Sequence, residues 1–285
     1  MPRFTRRKFL VGLASSAAAV AGGGAYMHWL EPHWLEVARL TVPSEPRPGG
    51  SPLLRVLHLS DFHSSPVVSL DFIAKYVALG LAQRPDVIAL TGDFITKLLT
   101  DGARYAEILA RLPAAAPTFA CLGNHDGGPW AWRAGGNHTI DEVLALLRAA
   151  RVVCLHNGAH TLTVKSRRVQ LIGVGDLWSG SCDPAVAFAR VPPRDAATRI
   201  LLNHNPDAKN LLRPFDWDVM LCGHTHGGQL RLPWIGTPFA PVADKRYVEG
   251  LHRWAGRWLH VTRGVGNLHG LRFNCRPQVS VLDLA

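Results

Sequence analysis

The chain moves between two hydrophobic rhythms. Short apolar runs read as strands: "LLRVLHLS" (53–60), "DVIALT" (86–91), "TFACLG" (118–123), "RILLNH" (199–204) and "DVMLCG" (218–223). Between the first of these, "SLDFIAKYVALGLAQ" (69–83), "DGARYAEILARL" (101–112) and "TIDEVLALLRAA" (139–150) place apolar residues at helical spacing. Ser69 stands as the N-cap of the first helix, and Thr139 with Glu142 has capping-box spacing at the third. A further helix is expected over 206–213. "WLEVARLTVP" (34–43) alternates as an edge strand does, and "SEPRPGGSP" (44–52) is a turn or short linker. Beyond residue 150, "VVCLHN", "HTLTVKS" and "RVQLIGVG" are closely spaced strands, and the tail segments "RWLHVTRGVG" and "QVSVLDL" are again β. Alternating βα units followed by β-rich segments predict an α/β protein built as a layered sandwich rather than a barrel.

Composition narrows the picture. With 285 residues, 47% of them hydrophobic and 18% charged, the chain can bury one large core or two intimate subdomains. The net charge is +10, and Arg3, Arg6, Arg7 and Lys8 supply four of those charges before any acid appears at Glu31. Without them the charge is +6, which favours an anionic substrate or membrane surface but is no nucleic-acid-binding density. No stable nucleic-acid partner is expected, because no Lys/Arg stripe is interleaved with aromatics. "FTRRKFLVGLASSAAAVAGGGAY" has paired arginines followed by a modestly apolar, Ala/Gly-rich stretch. Thr5-Arg6-Arg7-Lys8-Phe9-Leu10 resembles a twin-arginine export signal, which implies the twin-arginine machinery as partner and a periplasmic or extracytoplasmic location. Residues 1–30 are assigned as that signal or a tether to the inner membrane, and 31–285 as one domain. The apolar stretch is short and weak for a permanent span. Five cysteines without a CxxC pair argue against a disulfide framework.

The chemistry lies where the apolar runs end. Asp61 and His63 follow the first, Asp93 the second, Asn124, His125 and Asp126 the third, His204 the fourth, and His224 and His226 the last. Taken singly, Asp and Asn after a strand are turn formers and a lone histidine is a satisfied polar residue. Five strand ends carrying such groups, three of them beside glycine, are a constellation, because open α/β sheets gather ligands at strand carboxyl ends. Two divalent cations about 3.5–4 Å apart need a shared carboxylate and further nitrogen or oxygen ligands. Asp-x-His offers two ligands from one loop, and His-x-His can serve one ion with each ring. Gly223, Gly227 and Gly228 allow close backbone approach there. An N/O donor set suits Mn, Fe, Zn, Co or Mg.

Asp61-x-His63, Gly92-Asp93, Gly123-Asn124-His125-Asp126, His204 and Gly223-His224-x-His226 together resemble the signature of the calcineurin-like metallophosphoesterases. The "GHTHGGQLRLP" extension and the tail from Val261 to Leu284 resemble the exported bacterial phosphodiesterases of the YaeI and YkuE type within that superfamily. The resemblance implies a four-layer αββα sandwich of two mixed sheets, with the metal site at strand C-terminal ends. It implies two divalent ions (Mn, Zn, Fe or Mg), one held by Asp61, His63, Asp93 and His226 and the other by Asp93, Asn124, His204 and His224. A hydroxide bridging the ions would attack phosphorus, with His125 at the leaving group. Asp126 either orients His125 or caps the following turn. Purple acid phosphatases have a metal-binding tyrosine three residues after the bridging Asp; here Thr96 stands there.

"GGPWAWR" (127–133) brings Trp130 and Trp132 close behind the third motif, as walls for substrate or as loop packing, and Trp178 has the same ambiguity. Arg231, Lys245, Arg246 and Arg263 are candidates for a distal phosphate, and His58 reads as structural. The function expected is hydrolysis of a phosphodiester or pyrophosphate bond in a small-molecule, nucleotide or lipid substrate. The alternatives are a phosphomonoesterase, a UDP-2,3-diacylglucosamine-type lipid pyrophosphate hydrolase, and a non-catalytic metal- or phosphate-binding protein of the cell envelope.

Overall fold

A computed structural model describes residues 6–43 and 53–285. The expected linker at 44–52 and the first residue of the arginine motif, Thr5, lie outside them. The strands are β1 (Glu36–Val42), β2 (Leu54–Leu59), β3 (Val87–Thr91), β4 (Thr118–Cys121), β5 (Val153–Cys154), β6 (Gly158–Val164), β7 (Arg167–Gly173), β8 (Thr198–Leu202), β9 (Val219–Cys222), β10 (Gly250–Trp254), β11 (Arg257–Val261) and β12 (Gln278–Leu284). The helices are α1 (Arg6–Ala25), α2 (Leu70–Leu81), α3 (Gly102–Ala110), α4 (Pro129–Arg133), α5 (Asp141–Ala149) and α6 (Pro184–Ala189).

Two six-stranded mixed sheets stack face to face, ordered β1-β12-β2-β3-β4-β5 and β10-β11-β9-β8-β7-β6. Strand periodicity explains why their central runs are apolar throughout: both faces are covered. Leu57, Leu59, Ile88 and Leu90 point outward to α2, α3 and α5, while Leu54, Val56, Val87 and Ala89 point inward against Val169, Leu171, Ile200 and Leu202 of the second sheet. The fourth layer is thin, built around α6, Trp217, Leu212 and Tyr247. β2, β3 and β4 run parallel, as do β7, β8, β9 and β11, so both sheets deliver their strand C-termini to one edge of the sandwich.

The edge strand at the N-terminus is β1, but its partner is the last strand: β1 pairs parallel with β12, and β12 antiparallel with β2. Ser69 caps α2 as expected, its side chain accepting from the Phe72 N–H. The capping box at α5 does not form. Thr139 Oγ1 donates to Asp141, and Glu142 instead accepts from Asn137, because the helix begins at Asp141 and Thr139 is one residue too early to be its N-cap. The helix expected over 206–213 is a 3-10 helix at Pro206–Asn210.

The boundary drawn at residue 30 falls inside a packed segment. Arg272 N–H donates to the Met27 carbonyl at 3.0 Å, and His28 Nδ1 lies 2.7 Å from the Gly270 carbonyl. Buried Glu31 accepts the Cys275 N–H. The five cysteines are unpaired.

Candidate metal centre

The loops after β2, β3 and β9 are held in an unusual backbone state. Asp61, His63, Asp93, His224 and His226 all have positive φ, from 47° to 71°. That region disfavours residues with a Cβ, and a non-glycine residue there stores strain of order 1–3 kcal/mol. Five such residues in one cluster mean that surrounding contacts impose the geometry. The β2 and β3 loops zip together through Asp61 N–H to the Gly92 carbonyl (3.0 Å) and His63 N–H to the Asp93 carbonyl (2.9 Å). Gly223 and Gly123 make the approach sterically feasible. A Cβ on Gly223 would lie 2.2 Å from Asp61 Oδ2, and one on Gly123 2.2 Å from Asp93 Oδ1.

Seven side chains of this edge converge. Asp61, His63, Asp93 and His226 each bring a ligand atom to within 4.8 Å of the others, all four being buried. Asp93 Oδ2 stands 3.2 Å from His63 Nε2 and 3.1 Å from His204 Nε2. His63 Nε2 is 3.1 Å from His226 Nε2, and His226 Nε2 is 3.5 Å from Asp61 Oδ1. On the other side of Asp93, His224 Nδ1 lies 2.9 Å from Asn124 Oδ1 and 3.3 Å from His204 Nε2. Asp93 therefore belongs to both halves of the cluster.

The donor chemistry calls for positive charge at the centre. His204 Nδ1 sits 2.7 Å from the Thr91 carbonyl, which can only accept, so that nitrogen carries the proton. Its Nε2 then faces a carboxylate oxygen, and a proton or a cation must lie between them. With protons alone, burial would lower His204, but Asp93, Asp61 and Asp176 raise it well above the ordinary imidazole range. Burial would raise Asp93, yet His204, His125 and His63 hold it well below the usual carboxylate range. Asp61 is pushed up to about 6 by burial, and His63 down to about 4 by burial against the pull of Asp93. Asp61 Oδ2, His224 Nε2 and His226 Nδ1 are buried without a hydrogen-bond partner. Such groups are costly unless a ligand meets them. Divalent cations fit this cluster of Asp and His donors.

His125 borders the cluster. Its ring is edge-on to His63 with centroids 4.7 Å apart. Nδ1 lies 2.8 Å from the Thr96 carbonyl, and the His125 N–H donates to Asp93 Oδ1 at 2.9 Å. Asp126 does not orient His125. Its buried carboxylate accepts the backbone N–H groups of Gly123 (2.8 Å), Asp93 (2.9 Å) and Phe94 (2.7 Å), stapling two ligand loops together. Of the two roles open to Asp126, orienting His125 or capping the turn, the first is matched in the structure by a contact from Thr96 instead. Its carbonyl takes His125, and its hydroxyl donates to the His63 carbonyl at 3.1 Å. Nothing in "GDFITK" marks that threonine, since the contact depends on loop packing.

Of the two tryptophans read either as substrate walls or as loop packing, one borders the cluster. Trp130 is edge-on to His125 at 4.6 Å, while Trp132 is exposed and stacks on His138. Both lie on α4, where residues two apart point to opposite sides. Trp178, a weaker candidate in the sequence, stands edge-on to His224 at 4.3 Å and 5.9 Å from Trp130. Nearby Asp176 is buried with Oδ1 unpartnered, and burial raises its carboxyl. The four basic candidates are already engaged: Arg231 by Glu249, Arg263 by Glu36 and Glu249, Arg246 by Asp244, and Lys245 by the Ala240 carbonyl.

Comparison with known proteins agrees with this geometry. The family model "Calcineurin-like phosphoesterase" matches residues 54–228, the span that contains every ligand candidate. The chain is 43% identical to phosphodiesterase YaeI of Escherichia coli, over 98% of this chain and 99% of that protein. It is 30% identical to the metallophosphoesterase YkuE of Bacillus subtilis, over 100% of this chain and 99% of its relative. It is 27% identical to the UDP-2,3-diacylglucosamine pyrophosphatase LpxG of Chlamydia muridarum, over 95% of this chain and 96% of that protein.

Proposed function

Because the chain belongs to the calcineurin-like phosphoesterase family, and is thus a hydrolase of phosphoester bonds, we propose that it is a two-metal phosphodiesterase. The observation that carries this reading is the position of Asp93 Oδ2, within 3.2 Å of His63 Nε2 and His204 Nε2, which belong to opposite halves of the donor cluster. In this reading Asp61, His63, Asp93 and His226 hold one divalent ion. Asp93, Asn124, His204 and His224 hold the other. Two such ions supply charge neutralisation and a water-derived nucleophile near neutral pH.

The rest is done by the protein's own groups. Asp93 sets the two halves of the site at a common distance. Thr91 fixes the His204 ring through its carbonyl, leaving Nε2 toward Asp93. The Thr96 carbonyl accepts a hydrogen bond from His125 Nδ1–H and so fixes the ring; in its doubly protonated form the ring can pass the Nε2 proton to the departing oxygen and return to neutral imidazole. Trp130 and Trp178 form an aromatic wall beside His125 and His224, against which the ester's organic group packs. Asp126 acts as a structural staple between loops.

Similarity to YaeI favours a diester substrate, and similarity to LpxG supports a lipid-linked pyrophosphate as the second reading. The paired arginines at positions 6 and 7 support export by the twin-arginine route to an extracytoplasmic site. The test is hydrolysis of bis-nitrophenyl phosphate against mono-nitrophenyl phosphate by the full chain, stripped of metal and reloaded singly with Mn, Zn, Fe or Mg. Activity restored by metal, with the diester preferred, supports the reading. Preference for the monoester replaces it with a phosphomonoesterase, and metal uptake without turnover of either compound favours an envelope binding protein.

A further inference from the structure

The metal cluster opens beside an apolar belt that the hydrolytic reading does not use. Against His226 lies a hollow of about 450 Å³ lined by Leu230, Phe239, Pro241, Leu268 and Leu271. His269 continues it into a second hollow bounded by Trp29, Val67 and Phe72. Leu268 and Val67 join it to a third, reaching Leu98 and Thr96 on the His125 side of the cluster. The three form one continuous apolar surface around two sides of the site.

This surface is exposed and rimmed by large side chains. The loop after Leu230 folds into a tight hairpin, with Leu232 N–H bonded to the Gly236 carbonyl. Its tip projects Trp234, which is 103% exposed with φ of 62°, and Ile235, which is 69% exposed. Phe239, at the hollow's edge, is 70% exposed. Apolar side chains gathered in a contiguous patch mark an interaction face rather than the scatter normal for a surface.

Two observations identify the occupant. Among the described residues, no Asp or Glu lines any of the three hollows, whereas Lys97 and four histidines do. That favours an anionic partner. Second, α1 delivers an apolar segment to the same face. It begins with Arg6 and Arg7, contains no acid, and exposes Leu10, Val11, Leu13 and Val20. It continues into Met27 and His28, which are pinned to Arg272 and Gly270 at the border of the belt. No helix among the described residues is long and apolar enough to cross a membrane. A segment that lies on a bilayer needs a second attachment to hold firmly, and aromatic side chains prefer the headgroup boundary.

We propose that the apolar belt is a docking face for an anionic lipid bilayer, with Trp234, Ile235 and Phe239 entering the headgroup–acyl boundary beside α1. The metal cluster then faces the membrane surface with its mouth at headgroup level. This placement is independent of which phosphoester is cleaved.

The test uses the full chain and a triple variant, Trp234→Asn, Ile235→Ser and Phe239→Ser, none of them a site residue. Co-sedimentation with vesicles of phosphatidylglycerol and phosphatidylcholine in equal parts is compared with pure phosphatidylcholine, at low and high salt. Thermal melting checks that the variant is folded. The wild type is expected to partition onto the anionic vesicles, more weakly in salt, and the variant at least about 10-fold less. Lipids brominated in the acyl chain are expected to quench wild-type tryptophan emission more than that of Trp234→Phe. Equal partition of wild type and triple variant, or equal quenching with and without Trp234, overturns the proposal and leaves binding to α1 alone. Binding to neither vesicle also overturns it. A wild-type dimer that the triple variant converts to monomer assigns the belt to a second copy of the chain instead.

Discussion

Two groups of buried histidines lie in this sandwich, and their difference separates packing from chemistry. His58 and His260 face each other between the sheets, Nδ1 to Nδ1 at 2.9 Å, with His58 Nε2 on Thr91 Oγ1 at 2.8 Å. Both sit in regular strands, and no carboxylate is bonded to either. Burial drives His260 down to about 3 and His58 well below the ordinary imidazole value, so both stay neutral and behave as polar core residues. His63, His204, His224 and His226 are just as buried, but they occur beyond the strand ends. Three of their partners are the carboxylates of Asp61 and Asp93 and the amide of Asn124, and several donor atoms remain unpaired. Burial alone therefore does not distinguish a ligand from a core residue. Strained loops, convergent lone pairs and carboxylates without a compensating proton do.

Changes that sharpen this contrast can be ranked. The largest effect is expected from Asp93→Asn, which removes the oxygen charge common to both halves of the cluster. Bound metal and phosphodiester hydrolysis should fall together, read by elemental analysis and turnover. Full metal content in this variant would break the view of Asp93 as the shared ligand. His125→Ala comes next: kcat should drop by about 10²–10⁴-fold while metal content holds, and loss of metal instead would place His125 among the ligands.

The interior pair makes a different prediction. The folded value of His260, about 3, lies below its unfolded value of 6.5. The unfolded chain binds the proton first, so stability is full above pH 6.5 and is lost as pH falls toward 3. The slope approaches about 1.4 kcal/mol per pH unit. Urea unfolding of metal-free His260→Leu should show a shallower acid limb than the wild type. An unchanged limb would mean that the site histidines carry the acid sensitivity. The smallest effect separates the tryptophans: Trp178→Ala should raise KM by a few-fold, roughly the worth of one aromatic contact, and Trp132→Ala should leave both kcat and KM alone. Equal effects would undo the distinction drawn from α4.

Much of this molecule was legible before its fold. Unbroken apolar runs and helical spacing located the central strands and α2, α3 and α5 nearly in register, because burial on both faces leaves such a run at each strand. The polar residues that end those runs identified the convergent cluster, because a parallel strand must end where its neighbours end. Tertiary structure alone decided who stands next to whom. Apolar periodicity reports which face a residue presents but not which strand lies beside it, so the insertion of β12 between β1 and β2 left no local trace. Local sequence left Asp126 open between orienting His125 and capping a turn, and in the fold three backbone donors from two loops claim its carboxylate. Thr96 and Trp178 gained their positions from segments far away in the chain, and Trp132 lost its place at the site when α4 turned it outward. The chemical types of the site were written locally; their division into ligands, staples, walls and bystanders arose from distances that no local spacing encodes.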